Sequence, residues 1–106
     1  MRLENLFRSK SSWTQNADCR DKDGKAVPIR LLTDDNVKNV QSWSVVGAIS
    51  YYFSYERDPV RRYKVMDALK NAIKSYTGKD FYVSEYNDSP YTTFEDIKTI
   101  IKIADV

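Results

Sequence analysis

The sequence predicts a mainly α fold of the α+β class, with about four helices in one domain over residues 1–106 and a small β-hairpin near residues 17–30. Three observations carry that expectation. Helix-capping residues stand ahead of apolar residues at three- and four-residue steps in several segments. An Asp23-Gly24 pair separates two short segments, the signal of a tight hairpin. A chain of 106 residues holds one core, because two would leave each half too small to bury enough apolar surface.

The elements follow in order. RLENLFRS, residues 2–9, puts Leu3, Leu6 and Phe7 on one face of a short amphipathic helix, and Trp13 follows as a core anchor. The hairpin comes next because glycine readily takes the positive φ of a primed turn, and Pro28 confines its second strand to an edge. Thr33, Asp34 and Asp35 offer acceptors and negative charge to a helix start. That predicts a helix through Val37, Val40, Trp43, Gly47 and Tyr51, with a break near Ser42. Gly47 costs such a helix about 1 kcal/mol relative to alanine, a cost that points to another backbone passing close by.

Asp58-Pro59 is an N-cap and first-turn pair, followed by Val60, Tyr63, Met66, Leu69, Ile73 and Tyr76 at helical spacing and by Gly78 as a stop. FYVSEY, residues 81–86, has strand composition and suggests a short third strand; six residues leave an extended loop or a helical turn open. Thr92 with Glu95 forms a capping box, and Thr93 with Asp96 would do the same one residue along. Phe94, Ile97, Ile101 and Ala104 then make the buried face of the last helix.

Composition narrows the function. Seventeen basic and fifteen acidic side chains leave a net charge of +2, too little for long-range attraction to a polyanion, so nucleic acid is not an expected partner. The single cysteine, Cys19, excludes an intramolecular disulfide and fits a reducing compartment. Without histidine, imidazole acid–base catalysis is excluded and a nitrogen- and sulfur-ligated zinc site is not expected. No apolar run offers a membrane span and no basic start with an apolar stretch offers a secretory signal, so a cytoplasmic protein is expected.

Candidate chemistry is sparse. Asp18, Asp21, Asp23 and Gly24 suggest a calcium loop, but with Gly24 as the turn glycine the first ligand falls on Cys19 and the last on Arg30. A plain hairpin is the better account. Cys19 has only Arg20, Lys22 and Lys25 near it in sequence to favour a thiolate, and a structural cysteine is expected. Asp21, Glu85 and Asp88 could converge for hydrolysis, though nothing in their spacing requires it. No cofactor or metal is called for. RDPVRRYK, with Arg57, Arg61, Arg62 and Lys64 beside Tyr63, reads first as a solvated helix face and second as a docking surface for an acidic partner or a nucleotide. Tyr51, Tyr52, Phe53 and Tyr55 cannot all face one core from a helix, so at least one is expected to meet solvent or a partner.

Three blocks carry a resemblance. WTQNADCRDKDGKAV, WSVVGAI and YNDSPYTTFEDI resemble the signature blocks of a family of small uncharacterised proteins found in phage and actinobacterial genomes. In that family a tryptophan precedes an Arg-Asp and a glycine turn, a Trp-Cys or similar pair leads into Gly-Ala, and an aromatic-Asn-Asp motif opens the last helix. The resemblance covers about residues 13–104 and singles out Trp13, Arg20, Asp21, Gly24, Trp43, Gly47, Ala48, Tyr86, Asn87 and Asp88. Ser44 stands where many members have cysteine, which counts against an essential thiol. The resemblance implies a phage context and a set of positions, with no reaction attached.

Asn87 and Asp88 are expected to fix the start of the final helix, with Asp88 paired to Arg20. The functional expectation is a non-enzymatic phage accessory protein that binds a host protein, with inhibition of that protein or of antiviral defence as the outcome. Tyr51, Tyr52, Tyr55, Arg61 and Arg62 are its interface candidates. The alternative is a small-ligand or nucleotide-sequestering protein whose polar cluster is Arg20, Asp21, Asn87, Asp88, Trp13 and Trp43. A carboxylate-dependent hydrolase stands third, and the aromatic surplus is compatible with a homo-oligomer.

Overall fold

The structure is a computed structural model describing residues 1–106. It is α+β, with five helices and a three-stranded antiparallel sheet in the order β2-β1-β3. The helices are α1 (Leu3–Leu6), α2 (Val45–Tyr52), α3 (Pro59–Thr77), α4 (Val83–Asp88) and α5 (Phe94–Ala104); the strands are β1 (Cys19–Asp21), β2 (Ala26–Val27) and β3 (Val40–Trp43). Short 3-10 turns at Lys10–Ser12, Ile29–Leu31 and Val37–Asn39 complete the chain.

The hairpin forms where Asp23-Gly24 places it. Gly24 sits at φ 79°, and the Asp21 carboxylate accepts from the N–H groups of Asp23 and Lys25 at 2.9 and 3.0 Å. β2 is the outer strand, as Pro28 requires. The third strand lies elsewhere than expected. Residues 40–43 pair with β1, Cys19 facing Trp43 and Arg20 facing Ser42, so the helix predicted from Val37 is instead a 3-10 turn and a strand. Ser44 is the N-cap of α2, its hydroxyl accepting from Gly47 N–H at 2.9 Å, and Thr33 and Asp34 cap no α-helix. β-Branched Val40 and the aromatic Trp43 suit a pleated surface, and sheet pairing decides between two locally acceptable states.

Of the alternatives left open for residues 81–86, the helical turn is the one that forms, as α4 over Val83–Asp88 rather than a strand, and Glu85 accepts from the Tyr82 N–H at 3.1 Å to hold its first turn. α3 runs from its Asp58 cap to Gly78 at φ 78° as the sequence indicates. Its buried stripe is Val65, Leu69, Ala72 and Ile73, while Val60, Tyr63 and Tyr76 face solvent. α5 opens on the second of the two candidate boxes, Thr93 and Asp96. One core of 19 buried residues joins all five helices to the sheet, with Leu3, Phe7, Ile49, Leu69, Ile73, Ile97 and Ile100 almost wholly enclosed.

The predicted close approach at Gly47 is present. A Cβ there would lie 2.0 Å from the Asp18 carbonyl oxygen, which accepts from the N–H of Ser44 at 3.0 Å. Glycine thus lets the chain entering β1 lie directly on the first turn of α2.

Candidate functional site

The three sequence blocks meet at Asn87. Its side chain is 1% exposed and uses every hydrogen-bonding position that an amide has. Oδ1 accepts from the Trp13 indole N–H at 2.9 Å and from the Val45 N–H at 3.0 Å; Nδ2 donates to the Thr14 carbonyl at 3.1 Å and to Asp88 Oδ1 at 2.8 Å. That pattern fixes the amide orientation, since the reverse would oppose donor to donor at Trp13 and Val45. Gln15 adds a further tie, its amide donating to the carbonyls of Asn87 and Ser89.

Asp88 does not meet Arg20. Its Oδ1 accepts from the backbone N–H of Asn16 at 2.9 Å, beside a φ of 61° at Asn16 that asparagine tolerates better than most residues. Arg20 instead binds the Thr14 hydroxyl and the carbonyls of Gln15 and Gly24, tying the hairpin turn to the segment after Trp13. Neither residue starts the final helix; Asn87 and Asp88 end α4. The carboxylates proposed for hydrolysis are spent separately, Asp21 on its turn, Glu85 on the α4 cap and Asp88 on Asn16 and Asn87.

A cleft of about 540 Å³ opens beside this knot. It is lined by Asn16, Asp18, Ser44, Ser84, Asn87 and Asp88 among its polar residues, with no lysine or arginine. Of the six residues in the expected polar cluster only Asn87 and Asp88 reach it; Trp13, Arg20, Asp21 and Trp43 do not. The nearby nucleophile types are not poised for attack. The Ser44 hydroxyl is held between Gly47 N–H and the Asp18 carbonyl. The Cys19 thiol donates to the Val27 carbonyl, and burial, aided by Asp18 and Asp21, pushes its pKa up to about 11.

The chain matches the model of the family of unknown function DUF6197 over residues 5–104. The chain belongs to that family. No curated protein and no solved structure matches it. The family description assigns no activity, and the match spans nearly the whole of this DUF6197 member, from α1 to the end of α5.

The aromatic run divides sharply. Tyr51 is buried, T-stacked on Tyr52 with centroids 5.0 Å apart, and both rings lean on Trp43 at 5.9 and 5.4 Å. Its hydroxyl donates to Asp34 at 2.6 Å, and Arg57 binds the same carboxylate oxygen at 2.7 Å. Those two bonds, the tyrosine's first, hold the Asp34 carboxyl below its ordinary range. Tyr51 is therefore a structural residue rather than an interface one, and Tyr52 is half-buried. Arg61 lies over the Phe53 ring at 4.6 Å and donates to the Met1 carbonyl. Tyr55 is 77% exposed, with the Arg62 guanidinium 4.5 Å from its ring centroid.

Three residues near these sites escape a sequence reading. Val46, Tyr82 and Ser84 line grooves on the same side of the molecule. Ser84, Asn87 and Asp88 have the three- and four-residue spacing of one helix face, a signal that shows only once residues 83–88 are read as helical.

Proposed function

We propose that the protein is a phage accessory protein that acts without catalysis, by binding a host protein in the host cytoplasm and blunting its activity or an antiviral defence. The carrying observation is three large side chains left facing solvent just before and within the first two turns of α3. Tyr55, Val60 and Tyr63 are 77%, 64% and 74% exposed. Large aromatic and aliphatic side chains left in water on a small domain, with arginine stacked among them, have the composition of a protein-binding hot spot. Arg62 over Tyr55 supplies that arginine already positioned. The phage setting rests on the resemblance of the three blocks, and the binding role on the small size, the absent catalytic signature and the aromatic surplus.

The test is affinity capture from host lysate with the tagged protein and with a Tyr55→Ser, Val60→Ser, Tyr63→Ser variant. A partner recovered in stoichiometric amount by the parent and at least tenfold less by the variant is the expected result. Equal recovery by both, or no specific partner, rules the reading out. The small-ligand alternative keeps one supporting observation, the cleft beside Asn87 and Asp88. Native mass spectrometry of the same eluate tests it, through a bound mass that survives the triple substitution.

A further inference from the structure

The acidic cleft beside Asn87 has a neighbour. A second groove, of about 320 Å³, runs between α3 and α4 and is lined by Val46, Tyr63, Met66, Asp67, Lys70, Tyr82, Val83 and Ser84. Val46 and Ser84 line both, so the two hollows adjoin along α4. The two differ in chemistry. The groove at the start of α4 has Tyr63 and Tyr82 in its lining with one acid and one base, Asp67 and Lys70, and the Lys70 ammonium lies 5.4 Å from the Tyr82 ring centroid. The end beside the last turn of α4 carries Asp18 and Asp88 with no cationic side chain to balance them, in a chain whose net charge is +2.

The geometry points to a docking channel for an extended peptide segment of a partner protein, one that places a large apolar side chain between Tyr63 and Tyr82 and a lysine or arginine between Asp18 and Asp88. Charge complementarity selects this occupant. An acidic or phosphorylated peptide would meet two carboxylates that have hydrogen bonds but no cationic side chain in the lining, and a fully apolar one would leave them facing hydrocarbon. The amino end of α2 also faces the channel and would favour an anion, but Asn87 already takes the Val45 N–H and Ser44 the Gly47 N–H. The last turn of α4, with its carbonyl dipoles, adds to the preference for a cation.

The spacing of the two anchors follows. Val83 and Asp88 bound α4, and five helical steps of about 1.5 Å separate them by about 7.5 Å along its axis. An extended chain advances about 3.3 Å per residue and turns every second side chain to the same face. The apolar and basic residues of the ligand are therefore two positions apart. This inference rests on the protein-binding reading and assigns its specificity to a surface that shares Tyr63 with the exposed trio.

The probe is a random heptapeptide display library panned on the full chain, with each enriched sequence remade as an amidated synthetic peptide for fluorescence polarisation. Enrichment of an apolar and a basic residue two positions apart is expected. The selected peptide should weaken at least tenfold against Asp18→Asn, Asp88→Asn and, separately, against Tyr63→Ser, Tyr82→Ser. The asparagines keep an oxygen to accept from Ile29 and Asn16, and both tyrosines face solvent, so both variants should fold; amide-proton dispersion in an NMR spectrum verifies it. No enriched sequence, enriched sequences without a basic residue, or binding unchanged by either variant would overturn the channel. Host-protein capture that depends on Tyr55 and Val60 but tolerates Asp18→Asn, Asp88→Asn would overturn it while leaving the protein-binding reading intact.

Discussion

Trp13 donates its indole N–H to Asn87 Oδ1 at 2.9 Å across 74 residues of chain. The same oxygen receives the Val45 N–H at the start of α2. One buried amide thus holds the segment before the sheet, the amino end of α2 and the last turn of α4 in register. Asn87→Ala strands both donors out of reach of water, at about 1–3 kcal/mol each. A loss of about 3 kcal/mol in urea unfolding is expected. Asn87→Asp keeps the acceptors but loses both donors and sets a second carboxylate against Asp88, so it should destabilise as well. A loss under about 0.5 kcal/mol for Asn87→Ala, the range of ordinary surface substitutions, would contradict the role assigned to this residue.

Gly47→Ala separates helix propensity from packing. In a free helix the change is worth about 1 kcal/mol in favour of alanine. Here the new Cβ would sit 2.0 Å from the Asp18 carbonyl oxygen, a backbone atom that cannot rotate away. Overpacking of this kind costs about 1–3 kcal/mol or more, so the variant should unfold at lower denaturant than the parent. A more stable variant would mean that the β1 approach relaxes freely.

Cys19 predicts an alkaline limit. Burial raises its thiol to about 11 in the folded chain, against about 8.5 for a free thiol. Between those values the folded state keeps a proton that the unfolded state has lost. The associated stability is complete below about pH 8.5, drains as pH rises towards the folded value and then levels off, a loss of about 3 kcal/mol if the whole shift is expressed. A Cys19→Ala variant, weaker at neutral pH through its cavity, should show a shallower decline above pH 8.5. Iodoacetamide at pH 8 should label the native thiol far more slowly than the urea-unfolded one.

Two carboxyls are held below their ordinary range, and Asp34, the exposed one, is the more screened by solvent. Asp96 is held below its ordinary range first by the Thr93 backbone N–H and further by the Tyr76 and Thr93 hydroxyls; Asp34 is lowered by Tyr51 and then Arg57. A depressed folded value means that the contribution is fully present above the unfolded carboxyl pKa of about 3.9 and is lost as pH falls through the folded one. Asp96→Asn should flatten the dependence of the urea midpoint on pH below about 4. An unchanged slope would show that the α5 cap does not couple protonation to folding.

How far the sequence foretold this depends on the range of each interaction. The hairpin and α3 were legible because Asp23-Gly24, Asp58-Pro59 and Gly78 act through their own backbone. Gly47 was legible because a propensity cost in an apolar run calls for a packing reason. Val40–Trp43 was not, since its strand state depends on pairing with Cys19–Asp21 far back in the chain. Val83–Asp88 was too short for periodicity to distinguish helix from strand. The positions singled out around Trp13, Trp43 and Asn87 do gather in space, but their partners had to be found in three dimensions. Asp88 bonds Asn16 rather than Arg20, and Tyr82 and Ser84 gain their place only from the groove beside α3.

Arg2 pairs with Asp105 at 2.6 Å and the Glu4 N–H donates to the Val106 carbonyl, so α1 docks on the last helix. During synthesis Trp13 leaves the ribosome 74 residues ahead of its partner Asn87, a lead of roughly 4–15 s at about 5–20 residues per second. Over that interval the Trp13 indole N–H lacks its native acceptor. Because α1 docks on the last helix, its native packing waits until residues 94–104 have been made, which ties closure of the amino-terminal segment to a late-synthesised part of the fold.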